Sequence, residues 1–353
     1  MDKSKLTLAQ LGLYNPQRLT DEQSKILFSI RNNQFNLIME RINRTSPDDI
    51  PQHQLIIGLR GMGKSTLLKR LEVELRSNNY KKNFIPLLFP EEQYNIKCLA
   101  DFWLNCIDAM LDTIEQEHEK ELSIKIEEVD EVVQNMMKIT NNNERGEKSY
   151  EFLSILTRML KRRPVLLIDN INLIFDRIDN EDQLRLRSHM NESGAPIIIG
   201  TSTGLFEETT DYKAPFYDAF QIIRLDRLNS NEFRTMLMNL ANAIGEPELI
   251  AKIKVQEARL KALCQLTGGN PRTSVMFFRL IQKGFSTNIN DDLEGVLDEL
   301  TPLYKARFEE LSLQAQVIID AIAMYWEPIS LEKLREITFL ENSKLSPQLK
   351  RLS

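Results

Sequence analysis

The sequence predicts an α/β fold, an open and doubly wound parallel sheet followed by an all-helical lid and a small helical end. Three observations carry that expectation. Short continuous apolar runs, Val165-Leu166-Leu167-Ile168 and Ile197-Ile198-Ile199 among them, read as strands covered on both faces. Helical patterns alternate with these runs, as crossover-connected parallel strands require. After Leu228 the strand signals stop, and residues 230–310 carry helical patterns only.

Along the chain, residues 20–44 repeat Ile26, Leu27, Ile30, Phe35, Leu37, Ile38 and Ile42 at spacings of three and four. Thr20 and Gln23 offer a capping box for that helix. A turn at Ser46-Pro47-Asp48-Asp49 leads to a strand over 54–57, and a helix over 65–75 follows. Residues 85–89 read as the next strand, and 99–114 as an amphipathic helix with Phe102, Trp103, Ile107 and Leu111 on its apolar face. Between 115 and 148 the chain is strongly charged, which predicts a solvated helical excursion with an exposed loop at Asn141-Asn142-Asn143. Ile222-Ile223-Arg224-Leu225 adds a last strand.

Composition narrows the class of function. With a formal net charge of −6 the body of the protein repels a duplex, so any DNA contact has to come from a local basic patch. Cys98, Cys106 and Cys264 include no Cys-x-x-Cys pair and read as reduced thiols. His53, His118 and His189 share no metal-ligand spacing. The start, Met1-Asp2-Lys3-Ser4-Lys5, leads into a mixed polar segment, and no stretch is apolar enough to span a bilayer. A cytoplasmic protein with no membrane contact is expected.

The strongest chemical signal is Gly58-Leu59-Arg60-Gly61-Met62-Gly63-Lys64-Ser65, which fits G-x-x-x-x-G-K-[ST] between an expected strand and an expected helix. Glycines let the backbone turn tightly and aim its N–H groups at phosphate oxygens, and the positive helix end adds to that attraction. Gly58, Arg60, Gly61, Met62, Gly63, Lys64, Ser65 and Thr66 are therefore expected to cradle ATP with Mg²⁺. Lys64 would reach the β and γ phosphates, and the Ser65 hydroxyl would hold the metal. Asp169 ends the run 165–168 and supplies the outer carboxylate for Mg²⁺. Asn170 follows where hydrolytic relatives carry a Glu that polarises water, and an amide cannot accept a proton, so turnover is expected to be slow. Thr201 either senses the γ phosphate and orients water or simply ends its strand in a polar turn. Gly268-Gly269-Asn270-Pro271-Arg272 opens an apolar helix, with Arg272 either a γ-phosphate sensor or a surface residue.

Taken together, GLRGMGKSTLL, VLLIDN, IIIGTST and GGNPR resemble the AAA+ and STAND P-loop ATPases. The closer likeness is to initiator (origin-recognition-like) and archaeal-type ATPases with a C-terminal winged helix, over residues 15–353. The resemblance implies a P-loop NTPase core, a nucleotide pocket at the seam between core and lid, and a lid that moves with nucleotide state. Such families often place an arginine finger after the sensor strand. Residues 204–221 hold no Arg, Lys213 is their only basic residue, and Arg224 and Arg227 lie later, so hydrolysis activated across a ring is not expected.

At the end of the chain, Ala315, Val317, Ile318, Ile319, Ile322 and Ala323 mark one helix and Leu331, Leu334 and Ile337 a second. Asn342-Ser343 are expected to cap a third over 344–352. Three helices in this order resemble a winged helix-turn-helix, incomplete because the chain stops at Ser353 before any wing strands. Its third helix would offer Lys344, Gln348, Lys350 and Arg351 to DNA, or the unit packs against protein instead. The expected organisation is an N-terminal helical segment (1–50), the P-loop core (51–228), the lid (229–300) and the helix-turn-helix unit (301–353). The expected function is an ATP-dependent molecular switch with weak hydrolysis that controls a partner protein, with oligomerisation and a defence or mobile-element setting left open. The alternative is a DNA-binding regulator or loader governed by ATP.

Overall fold

Five runs form strands: β1 (His53–Ile57), β2 (Phe84–Leu88), β3 (Arg163–Ile168), β4 (Ile197–Ser202) and β5 (Phe220–Arg224). In the computed structural model they pair in parallel in the order β2-β3-β4-β1-β5. The residues it describes are 19–89, 95–116, 126–266, 268–283, 291, 294–295, 297–298, 301, 305, 308–309, 311–325 and 327–352. The chain divides into two compact units, residues 1–279 and 280–353.

Besides two four-residue helices, Asn172–Phe175 and Glu207–Thr210, the described helices around the sheet are α1 (Asp21–Leu27), α2 (Asn32–Arg44), α3 (Lys64–Leu75), α4 (Leu99–Gln116), α5 (Ile126–Met137), α6 (Asn142–Leu160) and α7 (Asn180–Met190). The lid adds α8 (Ser230–Ile244), α9 (Pro247–Val255), α10 (Glu257–Leu266) and α11 (Pro271–Lys283). Alternating side chains of each strand feed two layers. Leu166, Ile168 and Ile198 pack with Phe102, Trp103 and Leu153, whereas Val165, Leu167 and Ile199 pack with Ile38, Leu67 and Leu71. Each fully buried aliphatic side chain contributes about 2 kcal/mol of burial, which explains why central strands are apolar throughout.

The chain leaves β1 for β2 at one edge, returns through β3 and β4, and then passes to β5 on the other side of β1. Connections from β1 and β4 thus depart in opposite directions, and a crevice opens between their carboxyl ends. That switch point positions everything in the candidate site.

Three sequence expectations change. The pattern over 20–44 is broken in two, because Phe28 ends α1 and Arg31 takes a left-handed φ of 70° before α2. A period of three to four survives such a break, so periodicity alone does not reveal it. The Thr20–Gln23 capping box is present, with Thr20 N donating to Gln23 Oε1 and Gln23 N to Thr20 Oγ1. Asn141 caps α6 by accepting from the N–H groups of Asn143 and Glu144, so the Asn run starts a helix and is not a loop. Asn favours both settings because its short amide satisfies unpaired backbone N–H groups. The charged excursion also contributes to the core: Val129 and Met136 on α5 are buried.

The connection from sheet to lid is gripped from several sides. Leu225 N donates to Ile57 O at 2.7 Å, extending the β1–β5 ladder, and Leu228 N donates to Gly269 O at 2.8 Å within the lid. Between them, the Arg31 guanidinium donates to the Asp226 carbonyl. Burial pushes the pKa of Arg31 down, opposed by Glu232 and Asp226.

Described by itself, the second unit contains α12 (Leu313–Ala323), α13 (Leu331–Thr338) and α14 (Asn342–Leu352) around a core of Ile318, Ala321, Leu334 and Leu345. The third helix starts at Asn342, earlier than expected, and the Glu341 carbonyl accepts from Lys344 N and Leu345 N. Lys344 is exposed and Gln348 half-buried, while the side chains of Lys350 and Arg351 lie outside the described residues.

Candidate nucleotide site

Helix α3 begins where the glycine loop ends, and the loop's shape follows from its glycines. Gly61 has φ 88° and Gly63 φ 90°, a region that L side chains rarely adopt. Nothing lies within 4 Å of the place a Gly63 Cβ would occupy, so the loop backbone is open to a close-approaching group there. Gly58 is anchored instead: its N–H donates to Ser202 O at 3.2 Å, and a Cβ on it would press on Leu225. Lys64 turns back over the loop, donating to Gly58 O at 2.7 Å and Leu59 O at 3.4 Å. Met62 is buried, Thr66 is half-buried in the first turn of α3, and the Arg60 side chain is exposed.

β4 lies between β1 and β3, so its end bridges the loop and the carboxylate. The Ser65 hydroxyl donates to Asp169 Oδ2, and the Thr201 hydroxyl donates to Asp169 Oδ1. Asn170 N donates to Thr201 Oγ1 at 3.0 Å. Asp169 and Thr201 are both buried. One carboxylate therefore ties together the ends of β3 and β4 and the first turn of α3. Asn170 sits at φ 51°, a left-handed position that Asn tolerates better than Glu does, which gives a backbone reason for an amide at that place.

The lid reaches the loop directly. Arg272 N donates to Gly61 O at 3.3 Å and to Asn270 Oδ1 at 2.9 Å, and Asn270 Nδ2 donates to Arg60 O at 3.0 Å. Arg272 is thus beside the loop through its backbone. Asn270 is the residue that sequence reasoning passed over. Its signal was available: Asn immediately before Pro at a helix start is a cap position whose side chain is fixed and pointed outward.

These residues fit ATP with Mg²⁺. Mg²⁺ is a hard cation that takes a few protein oxygens and leaves its other positions to phosphate and water. A hydroxyl and a carboxylate already in contact, Ser65 and Asp169, are such a donor pair. No group of three or more His, Cys, Asp or Glu suited to a metal occurs among the described residues. Lys64 donates to two loop carbonyls, and phosphate oxygens would be charge-assisted and stronger acceptors for the same ammonium group.

Comparison with known proteins places the fold. The Walker-type ATPase PABY2304 of Pyrococcus abyssi superposes with a TM-score of 0.62 at 14% identity, over 92% of this chain and 89% of that one. The Aeropyrum pernix ORC2 protein, in ADPNP–ADP complexes, gives 0.60 at 14% identity over 92% and 86%. Its ADP form gives 0.53 at 14% identity over 96% and 87%. At such identities the likeness is one of fold. No curated protein matches the chain. No described helix is long and apolar enough to cross a membrane. Residues 31–277, well over half of the 353, match the ATPase domain described as predominantly from Archaea. The chain belongs to that family and is an ATP-binding P-loop ATPase.

Proposed function

We propose that this ATPase works as a switch that holds ATP, hydrolyses it slowly and signals the bound state to a partner protein through its lid. The observation that carries the reading is the contact between the first turn of α11 and the glycine loop, Arg272 N to Gly61 O. A lid hydrogen-bonded to the phosphate loop changes its own environment when the loop takes up a nucleotide. In this reading Gly58, Arg60, Gly61, Met62, Gly63, Lys64, Ser65 and Thr66 bind the nucleotide, and Ser65 and Asp169 hold Mg²⁺. Mg²⁺ held there would supply charge neutralisation for the phosphates. Thr201 orients Asp169, Arg272 follows the γ phosphate, and Asn170 leaves the water without a neighbouring proton acceptor, which keeps turnover slow. The protein works in the cytoplasm, where its buried thiols Cys98, Cys106 and Cys264 stay reduced.

Titration with a fluorescent ATP analogue, beside Lys64→Ala and with phosphate release followed in the same samples, tests this. Binding that Lys64→Ala removes, with release below about 1 s⁻¹, is expected. Release far faster than that would mean another group serves as base. No binding by the wild-type chain would sink the reading.

A second reading rests on the exposed Lys344 at the start of α14 in a three-helix unit. Here a winged helix-turn-helix contacts DNA through Lys344, Gln348, Lys350 and Arg351, under control of ATP. Duplex binding that weakens steeply with salt would favour it, and no duplex binding at low salt would remove it.

A further inference from the structure

The turn Gly268–Arg272 does more than carry Arg272 to the pocket. The Asn270 amide lies flat against Gly61: a Cβ built on Gly61 would come within 2.6 Å of Asn270 Oδ1 and 3.0 Å of Nδ2. The two ends of that amide have separate tasks. Oδ1 accepts from Arg272 N at 2.9 Å and caps the start of α11, while Nδ2 crosses to the Arg60 carbonyl at 3.0 Å. Arg272 N then meets the Gly61 carbonyl at 3.3 Å.

Each of these bonds fixes a peptide plane. In a trans peptide C=O and N–H point in opposite directions. Holding the Arg60 carbonyl toward the lid therefore aims the Gly61 N–H away from it, and holding the Gly61 carbonyl does the same for the Met62 N–H, which closes on Leu59 O at 3.2 Å. Two successive planes of the glycine loop are set by the lid, in a stretch where φ 88° leaves glycine little intrinsic preference. Gly269 sees to the other side of the same turn: it has φ 61°, and a Cβ there would collide with the Leu228 backbone.

We propose that Asn270 is a positioning residue that sets the orientation of the Arg60–Gly61 peptide, so that loop shape and lid position are one equilibrium. By linkage, whatever nucleotide binding does to the loop it does to the lid, and the reverse. The role needs a donor and an acceptor on one short side chain. Ser keeps the capping oxygen but is too short to reach Arg60, and Ala keeps neither. The proposal rests on reading the 58–65 loop as the triphosphate site.

The test uses the full chain as wild type, Asn270→Ser, Asn270→Ala and Lys64→Ala. Three quantities are measured: Kd for ATP with Mg²⁺, melting temperature without nucleotide, and amide hydrogen exchange over residues 58–65 without nucleotide. Asn270→Ser is expected to melt like wild type, to exchange faster in the loop but not in α11, and to bind ATP about fivefold more weakly, the size of one lost hydrogen bond. Asn270→Ala should lose as much ATP affinity and also melt lower. Wild-type affinity and loop exchange in Asn270→Ser would reduce Asn270 to a helix cap and overturn the proposal. Affinity losses that track the drop in melting temperature across the two variants would overturn it too. The exchange measurement needs no nucleotide, so it stands apart from failure of the triphosphate reading, which Lys64→Ala reports.

Discussion

Arg163 at the amino end of β3 and Ser65 beyond the carboxyl end of β1 are both polar groups tucked against the same sheet, yet their partners differ in kind. Arg163 donates to three backbone carbonyls, Ala195 O at 2.8 Å, Ser46 O at 2.7 Å and Asp49 O at 2.7 Å. Nearby, His53 Nε2 donates to Met190 O at 3.1 Å and its Nδ1 accepts from Ile198 N at 3.1 Å. Backbone partners of this kind are fixed by the fold. At the carboxyl edge Lys64 rests on loop carbonyls, and Ser65 and Thr201 share the Asp169 carboxylate. Those partners are ones that phosphate oxygens and Mg²⁺ can replace with stronger interactions. One edge of the sheet is committed to the fold and the other to exchange.

The contrast breaks most sharply at Arg163. Arg163→Met takes a charged donor from the buried Ala195 carbonyl and from those of Ser46 and Asp49, which keep Asp49 N and Gly194 N, and is expected to lower stability by about 2 kcal/mol in denaturant unfolding, with ATP affinity within about twofold of wild type. An equal loss of ATP affinity would show that the two edges are not separate. Lys64→Ala should give the mirror image: ATP binding weaker by about 3 kcal/mol, roughly a hundredfold, with little change in melting temperature.

An acid titration sharpens the amino edge. Burial pushes the His53 pKa down from 6.5 to about 4, outweighing the bond to Met190 that favours the charged form. A pKa depressed on folding stabilises the fold above 6.5, and that contribution disappears as pH falls through about 4. About 2 kcal/mol should be gone by pH 5, and His53→Gln, which does not titrate, should flatten that slope. A slope unchanged in the variant would assign the acid sensitivity to other groups. The smallest effect is expected at Thr201→Val, where stability falls by about 1 kcal/mol and phosphate release drops with ATP affinity nearly unchanged. A larger loss of stability would move Thr201 to the committed class.

Much of this was legible from local sequence. Buried parallel strands are continuous apolar runs, and the glycine loop is a contiguous pattern with a mechanism, so β1, β3, β4 and residues 58–65 stand out. What escaped depends on single backbone states or on distant pairing. The left-handed break at Arg31 does not disturb an apolar period, and Asn141 has the same composition whether it turns the chain or caps a helix. The sharing of Asp169 by Ser65 and Thr201 follows from β4 inserting between β1 and β3, which no local pattern encodes. Asn270 carries no charge to mark it in the sequence, unlike Arg272 two residues later, although its amide is what meets the loop.

The grip on the sheet-to-lid connection has a mechanical consequence. Registration with β1 extends to Leu225, and registration with the lid turn begins at Leu228, with Asp226 held by Arg31 in between. A connection bonded at Leu225, Asp226 and Leu228 leaves little backbone in which a swing of the lid could be absorbed, so such a swing would pivot near Arg227. With the pivot at one end of the lid turn's contacts and the glycine loop at the other, a small rotation becomes a displacement at Gly61. The lid is a short lever, and α1 and α2, through Arg31, form part of its bearing.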